Sequence, residues 1–205
     1  MTDANPACDE GSSRRSDYLE AKKDIKKALA QSLKDLVDRM PFEKITIKEI
    51  ADGAGVIRVT FYNHFQDKYD LLAWIVRSEI LDPVRILISN QMYRESMVLI
   101  FSNVQRDKSF YTKALRIDGQ NSFEDIVRKC AYDLILDIFL EHGAPKPNPT
   151  HRWINAENLA MYYATSMSYI MLEWIRSGMT ISPEEMGEVY EYVARRSMWD
   201  ILEEV

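Results

Sequence analysis

Four polar side chains within residues 58–64 could make hydrogen bonds to nucleic acid. They are Arg58, Thr60, Asn63 and His64. Phe61 and Phe65 are spaced by about one helical turn, so they share a face that points to the protein core. The four polar residues can then face outward. A helix that enters the major groove of DNA needs this arrangement, because its outer face must reach the base edges.

Short helical patterns lie on both sides of these residues. Apolar residues follow helical spacing over residues 20–40, and Pro41 ends that pattern because it restricts the residue before it. Thr46 begins a second short helix, which the turn at Gly55 closes. A third helix is predicted over residues 58–65. Two short helices joined by about three residues match a helix-turn-helix motif.

The rest of the chain also shows helical patterns, and no segment alternates in the way a strand does. Expected helix starts are Asp67, Asp82-Pro83, Ser122 and Ser182, and expected stops are Gly143 and Gly178. Residues 144–149 carry three prolines and are predicted to form an extended loop, and a long helix is expected from about Trp153 to Ser177. We therefore predict an all-α chain with an N-terminal three-helix DNA-binding domain and a helical C-terminal domain for ligand binding and dimerisation.

Charge is divided unevenly along the chain. The net charge is −6, yet residues 14–80 carry 13 Lys and Arg against 11 Asp and Glu, whereas residues 81–205 carry 13 against 18. This division favours different partners for the two parts. The N-terminal residues lack the apolar centre of a secretory signal, and no apolar stretch is long enough to span a membrane. We therefore expect a cytoplasmic protein without a membrane partner, and reduced thiols at Cys8 and Cys130.

Residues 22–75 resemble the N-terminal region of the TetR/AcrR family of transcriptional regulators. The matching stretches are Ile45-Thr46-Ile47-Lys48-Glu49-Ile50-Ala51, Ala54-Gly55-Val56, Thr60-Phe61-Tyr62-Asn63-His64-Phe65, Lys68 and Leu71-Leu72. The resemblance implies that Thr46, Tyr62, His64 and Lys68 hold DNA phosphates. It also implies that Lys48, Arg58, Val59, Thr60 and Asn63 approach the bases.

These roles agree with the chemistry of the side chains. Arg58 can donate two hydrogen bonds to a guanine edge, Asn63 can pair with adenine, and Val59 or Thr60 can touch a thymine methyl group. Each role has an alternative: Tyr62 could pack in the core, and the others could face solvent. The chain departs from the family at Ile57, where a small polar cap is usual. An apolar residue there should cost about 1 kcal/mol of helix stability.

The C-terminal part resembles regulators of dihydroxyacetone-kinase operons. The resemblance lies in Phe110-Tyr111-Thr112-Lys113-Ala114-Leu115, Gly119-Gln120-Asn121-Ser122-Phe123, Leu172-Glu173-Trp174-Ile175-Arg176-Ser177-Gly178 and Ser182-Pro183-Glu184-Glu185. In the TetR/AcrR family this region binds small effectors and dimerises. Aromatic and methionine side chains could line such a pocket here, although residues of this kind at helical spacing often form plain core. The candidate pocket residues are Met97, Phe101, Tyr111, Tyr132 and Tyr162.

The last two predicted helices carry a possible dimer interface. Small residues recur every four positions at Ala156, Ala160, Ala164 and Ser168. The final helix has one apolar-to-small face formed by Met186, Val189, Tyr190, Val193 and Ser197. Two such helices and their symmetry mates would form a four-helix interface, although the small-residue stripe could instead pack within one subunit.

The sequence therefore predicts a homodimeric, sequence-specific regulator of transcription that binds palindromic double-stranded DNA. The preferred hypothesis is a repressor released by an unknown small-molecule effector, and the alternative is an activator or co-regulator controlled by a protein partner. The predicted organisation is a disordered tail over residues 1–17, the DNA-binding domain over 18–66 and the effector-binding and dimerisation domain over 67–205. We expect no catalytic residues, no metal and no cofactor, because the histidines, cysteines and carboxylates lack ligand or catalytic spacing.

Overall fold

The computed structural model describes residues 9–143, 151–194, 196 and 198–203, and these residues form helices joined by turns, with no β-strand among them. The chain forms two compact units, and the first ends at Leu71 and the second begins at Leu72. The domain boundaries proposed from the sequence, 1–17, 18–66 and 67–205, stay predictions. Among the described residues, no helix combines the length and the apolar character needed to cross a membrane.

Four α-helices begin in the first unit. They are α1 (Asp9–Val37), α2 (Ile47–Gly53), α3 (Arg58–Tyr62) and α4 (Lys68–Ile75), with a short 3-10 helix at Phe42–Lys44 before α2. The core between them consists of side chains with no exposed area, contributed by different helices: Leu29, Leu33, Ile50, Phe61 and Leu71. This packing stabilises the short helices α2 and α3, since helices of this length are marginal alone.

Helix α1 begins earlier than the sequence predicts. Its first residue is Asp9, within the segment over residues 1–17 that is predicted to be a disordered tail. Once the packed part of a helix has formed, each further residue adds a hydrogen bond without a new nucleation cost. The helix can therefore continue through polar residues that show no apolar periodicity. Residues 1–8 lie outside the described part of the chain.

Helices α1 and α2 approach closely where Ser32 meets Gly53. The Ser32 hydroxyl is buried and donates a hydrogen bond of 2.8 Å to the carbonyl of Ile50. A Cβ on Gly53 would lie 2.3 Å from the Ser32 Oγ atom. A side chain at this position would force the Ser32 hydroxyl to rotate away from the Ile50 carbonyl, so Gly53 lets α2 lie against α1 with that hydrogen bond intact.

The second unit contains the remaining helices and part of α4. Helix α4 continues as a π-helical segment, Val76–Leu81, and a 3-10 helix, Asp82–Val84, with Pro83 in its first turn. The following helices are α5 (Arg85–Ser89), α6 (Tyr93–Arg106), α7 (Lys108–Ala114), α8 (Phe123–Glu141), α9 (Ala156–Arg176), α10 (Pro183–Ala194) and α11 (Met198–Glu203). Helix α8 packs along α9, and α10 packs along α6.

Most predicted helix starts and stops agree with the structure. Asp67 accepts hydrogen bonds from the backbone of Tyr69 and Asp70, and Ser122 and Ser182 each accept one from the backbone three residues later. Gly143 and Gly178 have φ of 88° and 84°, which favours glycine. The predicted loop over residues 144–149 lies outside the described residues.

Two helix boundaries differ from the predictions. The helix predicted from Trp153 starts at Ala156, because Asn155 caps it by accepting a hydrogen bond of 2.8 Å from the backbone of Asn158. The third helix, predicted over residues 58–65, ends at Tyr62. Asn63 and His64 therefore lie in the turn that follows it.

The small-residue stripe on α9 packs within the chain, which corrects the prediction that it forms the dimer interface. Ala156, Ala160, Ala164 and Ser168 are all buried. Ala160 and Ala164 contact Ala131 and Ile135 of α8 in one apolar cluster. The small side chains thus let α8 approach α9. The face predicted for the final helix lies on α10, which α11 follows: Met186 is buried, Val189 and Val193 are exposed, and Ser197 lies outside the described residues.

Gly187 allows α10 to lie close to α6. A Cβ at this position would be 2.6 Å from Cγ2 of Val98 and 3.3 Å from the backbone oxygen of Arg94. The backbone oxygen belongs to a packed helix and cannot rotate away as a flexible side chain would.

We expect Gly187→Ala to lower the free energy of unfolding by about 1–3 kcal/mol, because overpacking outweighs the gain in helix propensity of about 1 kcal/mol. Urea denaturation followed by circular dichroism measures this change. Ser166→Ala, on an exposed position of α9, is the control and should change stability by less than about 0.5 kcal/mol. An increase in stability for Gly187→Ala would show that α6 and α10 do not approach so closely.

Candidate nucleic-acid interface

Thr46 begins α2 with a complete capping box. Its hydroxyl accepts a hydrogen bond of 3.2 Å from the Glu49 backbone, and its own backbone N–H donates one of 2.9 Å to the Glu49 carboxylate. The Thr46 hydroxyl also donates to that carboxylate at 2.8 Å. These bonds lower the pKa of Glu49, so its charged form is favoured. The capping box fixes where α2 begins.

A tight turn joins α2 to α3. Gly55 has φ of 70°, and the Val56 backbone donates a hydrogen bond of 3.0 Å to the carbonyl of Ala51. Ile57 then begins α3 without a side-chain cap, as its apolar side chain predicts. Ile57 is 70% exposed, so no packing of its side chain offsets the missing cap. The start of α3 is held by the turn and by Phe61 in the core.

The outer surface of α3 carries several of the predicted DNA-contacting residues. Arg58, Val59 and Tyr62 are exposed, and Thr60 is half-buried. The Arg58 guanidinium donates a hydrogen bond of 3.0 Å to the Tyr62 hydroxyl and lies 5.4 Å from the centre of its ring. These contacts hold a cation and a phenol together on one surface. Tyr62 is therefore not a core residue, which removes the packing alternative.

Three further predicted residues lie near this surface. Asn63 is exposed in the turn after α3, and Thr46 and Lys48 are exposed at the start of α2. Their side chains can reach a partner outside the protein. The roles of these residues at DNA remain predictions.

His64 is half-buried in the turn after α3. Its Nδ1 atom is buried and has no hydrogen-bond partner among the described residues. Burial lowers the pKa of His64 below its ordinary value, and the positive charges of Lys22 and Lys26 on α1 lower it further. The imidazole is therefore neutral at pH 7. In the free protein the imidazole can act as a neutral hydrogen-bond donor.

Lys68 makes contacts within the protein that the sequence does not reveal. Its ammonium group donates hydrogen bonds to three backbone carbonyls, at 2.7 Å to Phe42, 3.0 Å to Glu43 and 3.0 Å to Ile45. It also lies 4.8 Å from the centre of the Phe42 ring. Burial lowers the pKa of Lys68, and the charges of Glu43 and Asp67 oppose that shift. No local sequence pattern identifies a contact across some 25 residues.

The second unit contains an apolar cavity of about 620 Å³. Side chains of α6, α8, α9 and α10 line it, including Met97, Ile135, Leu159 and Tyr190. Burial raises the pKa of Tyr190 to about 12, so its phenol remains protonated and can donate a hydrogen bond. The volume lies within the range of small-molecule sites.

The five predicted pocket residues occupy different places. Met97 lines the cavity, whereas Phe101 lines a smaller adjoining space of about 30 Å³. Tyr111 is fully buried in the core, with no hydrogen-bond partner for its hydroxyl among the described residues. Tyr132 packs on the cluster between α8 and α9, and Tyr162 is exposed. Of the five side chains predicted from helical spacing, Met97 is thus the one that lines the cavity.

Groups of three or more His, Cys, Asp or Glu side chains arranged to hold a metal ion are absent from the described residues.

Two family models match the chain. The model described as "Bacterial regulatory proteins, tetR family" matches residues 35–75, and the one described as "Transcriptional regulator C-terminal region" matches residues 92–195, half of the chain. The first match covers the helix-turn-helix surface, and the second covers the helices around the cavity.

Individual relatives agree with these matches. The HTH-type dhaKLM operon transcriptional activator DhaS of Lactococcus lactis is 28% identical over 103 residues, which are 49% of this chain and 55% of the relative. The aligned region therefore spans about half of that protein's length. The solved structure of a dihydroxyacetone kinase operon activator DhaS is 23% identical, with a TM-score of 0.55, and the match covers 80% of this chain and 90% of the other.

Solved structures of repressors share the fold. Thermus thermophilus FadR in complex with lauroyl-CoA is 18% identical with a TM-score of 0.55, over 84% of this chain and 94% of the other. NalD of Pseudomonas aeruginosa is 15% identical with a TM-score of 0.51, over 82% and 92%. Together with the two family models, the helix-turn-helix geometry and the all-α fold show that this chain belongs to the TetR family of transcriptional regulators.

Proposed function

We propose that this regulator is a homodimeric repressor that binds a palindromic operator and releases it when a small apolar molecule occupies its cavity. The observation that carries the proposal is the cavity of about 620 Å³ in a chain that also has an exposed helix-turn-helix surface. Ligand binding can weaken DNA binding only if the ligand prefers a different conformation from the one that DNA prefers.

The operator is contacted by the outer surface of α3 and the start of α2. In this proposal Arg58, Val59, Thr60, Asn63 and Lys48 approach base edges. Thr46, Tyr62 and His64 approach phosphates. The contact between Arg58 and Tyr62 supports these roles, because it holds the guanidinium in place before DNA arrives. In a two-fold dimer the half-site centres lie about 34–36 Å apart, or a multiple of that distance.

The effector belongs to the class of apolar, uncharged molecules. The described residues that line the cavity include no Lys or Arg, and they include one carboxylate, Glu191. An anion there would lose hydration with His142 as the one ionisable nitrogen among these lining side chains, so its desolvation would be offset only in part. A neutral head group loses less and can accept a hydrogen bond from the phenol of Tyr190.

The dimer forms through the outward faces of α9 and α10. Large apolar side chains are exposed there, namely Tyr162, Tyr169, Val189 and Val193, at 60%, 64%, 42% and 48%. Their occupant in this proposal is a second copy of the chain. A palindromic operator presents two identical half-sites, and pairing through a two-fold axis satisfies both at once. This interface replaces the buried small-residue stripe.

The alternative function is an activator controlled by a protein partner. The observation that favours it is the relative that is 28% identical and described as a transcriptional activator. In that case the exposed apolar residues of α9 and α10 bind the partner and the cavity stays empty. DNA release by a small molecule distinguishes the two functions.

The function is tested by selecting DNA from a random pool and measuring its release by two ten-carbon ligands. We expect enrichment of a palindrome, and we expect uncharged decanol to release it at a concentration about tenfold or more below that of decanoate, since the anion pays for its desolvation. Leu159→Trp narrows the cavity and should retain DNA binding while losing release. DNA binding that neither ligand affects, at equal protein stability, would favour the partner-controlled activator.

Arg58→Ala should cost about 1–3 kcal/mol of binding free energy at one base pair of each half-site and relax the preference there. Tyr62→Phe removes the proposed phosphate contact and should weaken binding to every sequence, and because it also removes the hydrogen bond from Arg58 it should relax the preference at the Arg58 base pair less than Arg58→Ala does. Competition assays with singly substituted operators separate the two effects. An Arg58→Ala variant with an unchanged ranking of substituted operators would exclude base recognition by Arg58.

Val193→Glu should weaken dimerisation by about 30-fold or more, because it buries a charge in an apolar interface. DNA affinity should fall as well, since a monomer contacts one half-site. Sedimentation at several protein concentrations measures the monomer–dimer equilibrium. Gln105→Glu on an exposed position of α6 is the control and should leave the dimer intact. A Val193→Glu variant that dimerises normally would place the interface elsewhere.

A further inference from the structure

The ammonium group of Lys68 is fully occupied by the protein. An ammonium has three N–H donors, and the carbonyls of Phe42, Glu43 and Ile45 accept one each, at 2.7–3.0 Å. A phosphate oxygen could reach this group only if one of these bonds were given up. If the bond to Ile45 were the one given up, its part-buried carbonyl would lose the hydrogen bond that Lys68 donates, which is costly.

The charges around Lys68 also oppose contact with a phosphate. The carboxylates of Glu43 and Asp67 both act on the ammonium group. Glu43 and Asp67 therefore offset part of the positive charge that Lys68 presents to DNA. The adjacent residue Asp67 is itself held in place, since it caps α4 through the backbone of Tyr69 and Asp70.

The three carbonyls belong to the turn from which α2 starts. Phe42 and Glu43 lie in the 3-10 helix, and Ile45 directly precedes Thr46. A fixed Ile45 carbonyl fixes the peptide plane that it shares with Thr46, because that plane is rigid. Lys68 is the first residue of α4, so its bonds join the start of α4 to the start of α2. Helix α3 lies between them in the chain.

We propose that Lys68 is a positioning residue that holds the start of α2 for DNA binding and does not contact a phosphate itself. This inference rests on the proposed DNA contacts of the first unit. It differs from the role that the family resemblance implies for this lysine. In this assignment Lys68 raises the affinity for DNA indirectly, because it fixes the positions of Thr46 and Lys48 at the start of α2.

The salt dependence of operator binding tests the proposal. A lysine that neutralises a phosphate adds about 0.9 to the slope of log affinity against log salt concentration. We expect Lys68→Met to lower operator affinity by about tenfold while the slope stays within about 0.3 of the wild-type slope. Lys44→Met, in the same turn and exposed, is the matched loss of one positive charge and should retain affinity. A slope reduced by about 0.9 in Lys68→Met would overturn the proposal.

Lys68→Arg provides a second variant that keeps the charge. A planar guanidinium cannot direct three donors from one atom toward three converging carbonyls, so we expect affinity to remain low. Restoration of wild-type affinity by Arg would indicate a phosphate contact. In the absence of DNA, hydrogen exchange at the amides of residues 45–49 should be faster in both variants than in wild type.

A measurement on the unaltered protein covers the case in which the variants fold poorly. The ammonium resonance of Lys68, observed by nitrogen-15 NMR, should be protected before DNA is added and should keep its chemical shift when operator DNA binds. A large shift on DNA binding would mean that the lysine leaves the carbonyls for a phosphate. If the wild-type protein bound no DNA at all, the proposed function would be wrong. A protected ammonium resonance would still show that Lys68 is bonded to the three carbonyls of the turn.

Discussion

Helix α3 is too short to be stable alone, so its conformation depends on contacts with the rest of the first unit. It has five residues and no side-chain cap, whereas an isolated helix needs about 12–15 residues to be marginally stable. Phe61 anchors it in the core, the Gly55 turn sets its direction, and α2 and α4 are fixed on either side. The outer surface of α3, which we propose contacts DNA bases, therefore does not have to stabilise the fold. Arg58, Val59 and Tyr62 can be exposed because none of them holds the fold together.

The second unit follows a different physical logic. Its helices leave an apolar cavity, although close packing is the norm in protein interiors. The cavity is open to solvent on one side, so an apolar ligand would gain binding energy by removing the apolar lining side chains from water. The small residues of α9 and Gly187 of α10 bring other helix pairs close together.

The sequence predicted those features that local chemistry determines. The caps at Thr46, Asp67, Ser122 and Ser182 depend on residues three or fewer positions apart, and they agree with the structure. Helical spacing placed Arg58 outward and Phe61 in the core correctly, but Thr60 and His64 are half-buried and α3 ends before Asn63. The cap at Asn155 was missed because the predicted helix was begun at Trp153, two residues before the residue that caps it. The family of the chain was predicted correctly because its motif is contiguous.

Features that depend on distant segments were not predictable from the pattern. The carbonyls that surround Lys68 come from residues 42–45, and nothing near Lys68 in the sequence points to them. The small-residue stripe indicated close approach of a helix but not which helix, and the partner is α8 of the same chain. For the aromatic residues, spacing gave the face of each helix without the position of the cavity. Tyr111 is fully buried and Tyr162 is exposed, although both were predicted to line the cavity.

The π-helical segment Val76–Leu81 places a limit on insertions and deletions in this part of the chain. Leu72, Val76, Ile80 and Val84 are all buried, at intervals of four residues. In an ordinary α-helix each such interval turns the side chain about 40° past a full turn, so the last would face well away from the first. Wider winding in the middle compensates for this rotation. A π-helical turn holds one residue more than an α-helical turn, so loss of one residue here would restore regular winding with little rotation of the later side chains, whereas loss of one residue from the α-helical part of α4 would turn them by about 100°.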